Sequence, residues 1–260
     1  MTDPDVLIAG ETLIDLFPTT TGPLADAETF DRRAGGAPAN LAVAMTRLGT
    51  PPYLWTRLGA DPFGEHLADV LDAQNVPDRF IEVDADRKTA HTLVGEDPAA
   101  DQSFVFYKEG TATMAMEPGT VPDETLANLE WVHFGGVMLC EAPVRTAMLD
   151  LAERAQAQAC TVSFDPNTRE DLWPDPADLE PTMRRALELA DVVKTDREDL
   201  SVLLETIDQD IASVAEELLA YGPHTVFLTR GAEGTYGMAT ADAPWGPAEV
   251  DQPAVDVDVV

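Results

Sequence analysis

The constraint that most narrows the fold of this 260-residue chain is a repeated alternation of two hydrophobic periods. Brief apolar runs, "VLIAGET", "YLWTRLG", "WVHFGG", "TVSFD", "DVVKT" and "TVFLTR", are rich in β-branched and aromatic residues and are bounded by Gly, Pro or Asp. Between them lie stretches with helical spacing. Leu41, Ala44, Met45 and Leu48 fall at i, i+3, i+4, i+7, as do Val144, Ala147, Met148 and Leu151, and Ile211, Val214, Ala215 and Leu218. Strand and helix in alternation predict an α/β domain, a mainly parallel sheet with helices on both faces. Ligands of such a sheet sit beyond the carboxyl ends of its strands.

Two segments break the rhythm. Residues 16–33 and 85–110 carry strand-like pieces, "HTLVGE" and "SFVFYKE", with no helix between them. They predict a small β-structured lid over the end of the first strand, able to close on a ligand and exclude water. The whole of 1–260 is otherwise expected to form one domain.

Charge limits the partners. There are 48 acidic against 16 basic residues, a formal charge of −32, and only Lys88, Lys108 and Lys194 are lysines. Nucleic acids and anionic membranes would be repelled by such a chain, so neither is an expected partner. The acids are scattered along the sequence and form no acidic tail. Dispersed acid with so little lysine points to a halophilic cytoplasm, where molar salt shortens the Debye length to about 3 Å. "MTDPDVLIAG" has no basic, apolar leader pattern, and no run reaches the ~20 apolar residues of a membrane span. The expected location is cytoplasmic. Cys140 and Cys160 make no disulfide framework, and His66, His91, His133 and His224 have no metal-ligand spacing.

The chemistry-bearing residues gather at predicted strand ends. Asp15 follows the first strand, and Gly35-Gly36 then delivers Asn40 into the first turn of a helix. Glycines bare the backbone and a helix start favours anions, which suits phosphate. The pattern is neither of the familiar phosphate-binding glycine motifs, however, and carries no lysine. An acid, an amide and bare backbone equally suit a polyhydroxyl ligand. After "TVSFD" come Asn167 and Arg169, the latter able to stabilise charge on a transferring phosphoryl group or to fix a substrate oxygen. Lys194-Thr195-Asp196-Arg197-Glu198-Asp199 closes another strand, and its carboxylates can order magnesium-bound water or simply cap a helix. "LTRGAEGTYG" places Thr229, Gly231 and Gly234 in a turn that is either a nucleotide-phosphate cradle or a plain hairpin.

Together these islands, with "GETLIDLFP", "RRAGGAPANLAVAMTRLG", "RLGADPFGEHL", "SFDPNTREDLWPD" and the closing "VDVDVV", resemble the PfkB, ribokinase-like carbohydrate kinases, and most nearly their fructokinase branch. The resemblance runs from residue 6 to residue 260. It implies a ribokinase-like fold with a β-lid that often mediates homodimers, and transfer of phosphate from ATP, with Mg²⁺, to a sugar. Asp15, Gly35, Gly36, Asn40, Lys108, Asn167 and Arg169 would bind the sugar, although Lys108 stands where relatives often carry arginine. Lys194, Thr229, Gly231 and Gly234 would face ATP. Asp196 and Asp199 would order the metal through water, departing from the Asn and Glu of the family's motif. Fructose is the expected acceptor, with 2-keto-3-deoxygluconate as the alternative and a non-catalytic sugar-binding remnant as a third reading. In relatives a strand like "VDVDVV" leads into Asp-Thr-Thr-Gly-Ala-Gly-Asp, which supplies the anion hole and the catalytic base. That motif would lie beyond Val260, so the resemblance implies that the chain as given is nearly inactive.

Overall fold

A computed structural model describes residues 3–97, 100–201, 203–204, 207 and 209–255. In chain order the strands and helices are β1 (Val6–Ala9), β2 (Leu13–Pro18), β3 (Phe30–Gly35), α1 (Ala37–Arg47), β4 (Tyr53–Gly59), α2 (Pro62–Ala73), β5 (Ile81–Asp84), β6 (His91–Asp97), β7 (Ala100–Tyr107), α3 (Asp123–Leu126), β8 (Trp131–Gly135), α4 (Val144–Ala157), β9 (Thr161–Asp165), α5 (Leu179–Leu189), β10 (Val192–Asp196), α6 (Ile211–Leu219), β11 (Thr225–Thr229), β12 (Thr235–Ala239) and β13 (Ala248–Gln252). Nine strands form one sheet in the order β13-β12-β11-β10-β9-β8-β1-β4-β5, and four form a second in the order β3-β2-β6-β7. From β11 to β5 the large sheet is parallel throughout, and β12 alone is reversed, pairing antiparallel with both β11 and β13.

Alternation along each strand sorts the core into two layers. Leu7, Ala9, Val132, Phe134, Val162, Phe164, Val193, Val226 and Leu228 point to one face, where Met148 and Leu151 of α4, Met183 and Leu187 of α5, and Val214 and Leu218 of α6 cover them. Phe134 and Phe164 stack at 4.8 Å in its centre. Ile8 and Leu54 point the other way, onto Ala39 and Ala42 of α1 and Leu71 of α2. The helical stripes expected in α4 and α6 are the buried ones. The α1 stripe is shifted, because "LAVAM" offers apolar residues all round the helix. Pro38, Ala39 and Ala42 face the sheet, while Leu48 is 84% exposed.

Helices thus lie on both faces, but not over the whole of each. Beyond β1, toward β13, the face shared with α1 carries Trp131, His133, Thr161, Lys194, Phe227 and Val250, with Phe227 41% and Val250 54% exposed.

The second sheet joins segments far apart in sequence. β2 continues from β1 and pairs antiparallel with β3 and parallel with β6, which forms a hairpin with β7. Its strands lie close to the expected lid segments, with β2 and β3 reaching back to Leu13 and on to Gly35. Asp61 anchors its entry. That carboxylate caps α2 through the Phe63 and Gly64 N–H groups, both at 3.0 Å, and accepts from the Thr89 N–H at 2.8 Å and the Thr89 hydroxyl at 3.0 Å, just before β6.

Candidate functional site

The first strand of a doubly wound sheet ends where the chain must leave the core, and here it leaves through Gly10-Glu11-Thr12 into β2. Glu11 is only 5% exposed. Its Oε1 accepts the Ala37 N–H at 3.1 Å, so it serves the start of α1 where Gly36 has no side chain to act as a cap. Its Oε2 is buried without a partner. Burial pushes the Glu11 pKa up to about 7, and the nearby Asp165 charge adds to this against the opposing backbone hydrogen bonds and Arg169.

Two glycines let the second sheet and α1 pack closely at this point. Gly36 has φ +99°, and a Cβ there would lie 2.4 Å from the Glu11 carbonyl oxygen. A Cβ on Gly35 would lie 2.0 Å from Asp15 Oδ2, so the acid on β2 rests directly against the turn. Burial raises the Asp15 pKa. Asn40, whose backbone N–H bonds the Gly36 carbonyl at 2.9 Å, is exposed at the mouth of the same turn.

The ends of β9 and β10 supply the other wall. Lys194 pairs with Asp165 Oδ2 at 3.0 Å, leaving Asp165 Oδ1 buried and unpartnered. Burial raises the Asp165 pKa and Lys194 opposes the rise. Asn167 takes a positive φ of 36° in the turn that follows. Arg169 contacts Asp199 Oδ1 at 3.5 Å, and Asp199 is tied back to β10 through its own N–H to Asp196 Oδ1 at 2.9 Å. Burial and then the Asp196 charge push the Asp199 pKa up to about 7, against Arg169. On β8, His133 bonds Ser163 Oγ at 2.9 Å, and burial with the neighbouring Lys194 pushes its pKa down to about 4.

Two cavities result. One, of about 360 Å³, is lined by Glu11, Pro38, Leu41, His133, Asp165, Asn167 and Lys194 among others. The second, about 840 Å³, lies between Phe104 and Phe106 of β7 and the group Arg169, Asp171, Asp196 and Asp199. An apolar wall with a few convergent polar groups is the form of a small-molecule site. Asp196 and Asp199 fit a hydrated magnesium ion in donor chemistry, because both offer carboxylate oxygens and a cation would relieve the repulsion between them. Among the described residues no three His, Cys, Asp or Glu side chains converge to enclose a metal.

The remaining expected residues stand apart from these walls. Thr229 donates its hydroxyl to the Thr195 carbonyl at 3.1 Å, beside Lys194. Gly231 and Gly234 belong to the turn between β11 and β12, which is an antiparallel hairpin. Gly234 is demanded by packing, since a Cβ there would fall 2.0 Å from the Gln252 carbonyl oxygen. Lys108 lines neither cavity. It is 5% exposed and donates to Cys140 Sγ at 2.9 Å. Most of the closing "VDVDVV", residues 256–260, lies outside the described residues. Sequence reading missed Glu11, although its signal is visible: a lone acid two positions past a buried strand.

A large, mainly parallel sheet with polar groups gathered at its strand ends, joined by a second, four-stranded sheet, defines an α/β protein of the ribokinase-like class. The chain belongs to the pfkB family of carbohydrate kinases, whose model matches residues 3–257. It is 30% identical over 253 residues to a fructokinase of Klebsiella pneumoniae, covering 97% of this chain and 78% of that one. It is 32% identical over 232 residues to the probable chloroplastic fructokinase-6 of Arabidopsis thaliana, of which it spans 60%. The crystal structure of Xylella fastidiosa fructokinase with bound ATP superposes with a TM-score of 0.81 at 31% identity, covering 98% of this chain and 76% of that one. No helix among the described residues is long and apolar enough to cross a membrane.

Proposed function

We propose that this protein transfers phosphate from ATP to a hydroxyl of a sugar, and that the sugar is fructose. The observation that supports the reading is the cavity between the start of α1 and the strand ends, lined by Pro38, Leu41, Asn167 and Lys194, with Asp15 packed against Gly35 just before the Gly36 turn that opens α1. Fructokinases among the similar proteins support the choice of sugar. In this reading Asp15, the glycine turn, Asn40 and Asn167 hold sugar hydroxyls. Arg169 stands between sugar and nucleotide, placed to stabilise the charge of the transferring phosphoryl group. Lys194, Thr229, Gly231 and Gly234 face ATP. Asp196 and Asp199 hold Mg²⁺ through its water, and the ion supplies neutralisation of the phosphate charge. The exposed Val105 and Tyr107 on the outer side of β7 offer an apolar strip for a second copy in a homodimer.

One observation favours a second acceptor. Lys108 is buried, donates to the Cys140 thiol and makes no ion pair with a carboxylate among the described residues, so the carboxylate of an acid sugar such as 2-keto-3-deoxygluconate would be its neutralising partner. Coupled ADP release with Mg-ATP in molar KCl tests both, each sugar offered separately, with calorimetric sugar binding measured alongside. Fructose binding is expected, with fructose-dependent release where the Asp-Thr-Thr-Gly-Ala-Gly-Asp motif is present. Release with neither sugar, together with no binding of either, refutes the reading.

A further inference from the structure

The fold leaves two buried oxygens without a partner in one cavity, Glu11 Oε2 and Asp165 Oδ1. A buried polar atom without a partner forfeits the hydration it had in the unfolded chain. Both belong to residues that line one space of about 360 Å³, which marks that wall as the place for a ligand group. The companion oxygens are already committed. Glu11 Oε1 takes the Ala37 N–H, and Asp165 Oδ2 takes the Lys194 ammonium.

The two carboxyls differ in what they offer. Lys194, 3.0 Å away, keeps Asp165 the anionic member of the two. Glu11 has no cation in hydrogen-bond contact, and burial holds it protonated up to about pH 7. With Oε1 engaged as an acceptor, the proton of the neutral acid sits on Oε2. The cavity thus presents one O–H donor beside one carboxylate acceptor. A hydroxyl answers both at once, because its oxygen accepts while its hydrogen donates. An ammonium cannot accept from Glu11, and a phosphate oxygen would be repelled by Asp165.

We propose that Glu11 and Asp165 together grip one hydroxyl of the polyol acceptor, with Glu11 also positioning the glycine turn through Ala37. This rests on the sugar-kinase reading and adds to it a residue that couples the floor of the site to its α1 wall. The ionisable groups around Glu11 are Asp165 at the end of β9, Arg169 after it, Lys194 on β10 and His133 on β8, and the first turn of α1 brings none. Above pH 7 Glu11 loses its donor, so the grip weakens.

Titration calorimetry of D-fructose and its monodeoxy analogues against wild type, Glu11→Gln and Glu11→Leu tests this from pH 6 to 8.5, with circular dichroism confirming that each variant is folded. Wild-type affinity is expected to fall several-fold across pH 7. Glu11→Gln, which keeps a donor and an acceptor, is expected to bind within about twofold of wild type at pH 6 and to show no such fall. Glu11→Leu should lose about tenfold. That loss should vanish for the one analogue lacking the gripped hydroxyl. A loss of equal size on every analogue, or wild-type affinity and pH dependence in Glu11→Leu, overturns the proposal alone. Wild-type protein that binds neither fructose nor 2-keto-3-deoxygluconate overturns it together with the kinase reading.

Discussion

Replacing Asp61 by alanine tests how the second sheet is fastened to the first. One carboxylate receives four hydrogen bonds: two from the first turn of α2, and two from Thr89 at the entry to β6. Loss of a helix cap costs about 1 kcal/mol. The Thr89 N–H and hydroxyl would also lose their acceptor, and Thr89 is buried. Each such orphan costs about 1 kcal/mol at the low end of its range. The expected loss is therefore about 3 kcal/mol, which for a chain of this size lowers Tm by about 6–10 °C. Asp61→Asn should lose about half as much, because the amide keeps an oxygen for the cap but sets a donor against the Thr89 N–H. The pH dependence has a definite sign. Burial works to raise the Asp61 pKa, yet the hydrogen bonds outweigh it and hold the group below its ordinary value. A depressed carboxylate stabilises the fold above the unfolded pKa of about 3.9, and that stability is lost as pH falls through the folded value. The gap between wild type and alanine in scanning calorimetry should thus be the same at pH 7 and pH 5.5 and close only in strong acid. An alanine variant melting within 2 °C of wild type at pH 7 would refute this account of the anchor.

Gly36→Ala meets both a φ of +99° and a backbone oxygen 2.4 Å away. It should abolish calorimetric sugar binding and lower Tm, and intact binding would show that the turn is not the sugar wall. Phe134→Ala removes a fully buried ring stacked on Phe164 and should destabilise by about 3–5 kcal/mol in denaturant titration. Asp199 carries the opposite sign to Asp61, because a carboxylate raised to about 7 favours the fold at low pH and that advantage disappears as pH climbs through 4 to 7. Asp199→Asn should therefore raise Tm at pH 8 and change it little below about pH 4. With a net charge of −32, the wild-type Tm should rise from dilute buffer to 1 M KCl, and an unchanged Tm would remove the case for salt adaptation.

What could be read from sequence follows the length scale of each interaction. Every strand of the parallel sheet from β1 to β11, except the brief β5, stood out as a short apolar run, because the helix-covered face fills its buried positions with β-branched, aromatic and other apolar residues. The stripe on α6 was equally plain, since polar residues separate Val214, Ala215 and Leu218 from the next apolar turn. The α1 stripe was not legible, because with Leu41, Ala42, Val43, Ala44 and Met45 in succession only the packing partner decides which side is buried. Pairing of β2 with β6 joins residues some 75 positions apart in sequence and has no local signal. The site divides in the same way. The glycine turn announces itself because backbone geometry needs glycine, whereas the partners of Lys108 and Lys194 are set by elements that meet only on folding.

The acids at the strand ends carry this further. Asp15, Asp165 and Asp199 all have pKa values raised by burial, and so does Glu11, while Arg169 and Lys194 are the cations set among the last three. A fold selected only for stability would neutralise or expose these groups, because each raised carboxyl weakens the folded state near pH 7 and above. On the opposite side of the sheet the same strands are filled with Phe134, Phe164, Val193 and Leu228 and show no such cost. Local rules are kept in the core and broken at one end of one face. A ligand with hydroxyls for Glu11 and Asp165, and a cation for Asp196 and Asp199, would relieve the strain group by group. Binding of sugar with Mg-nucleotide should then stabilise the protein more at pH 8 than saturation with either alone, and thermal shift measurements with each ligand and with both would show it.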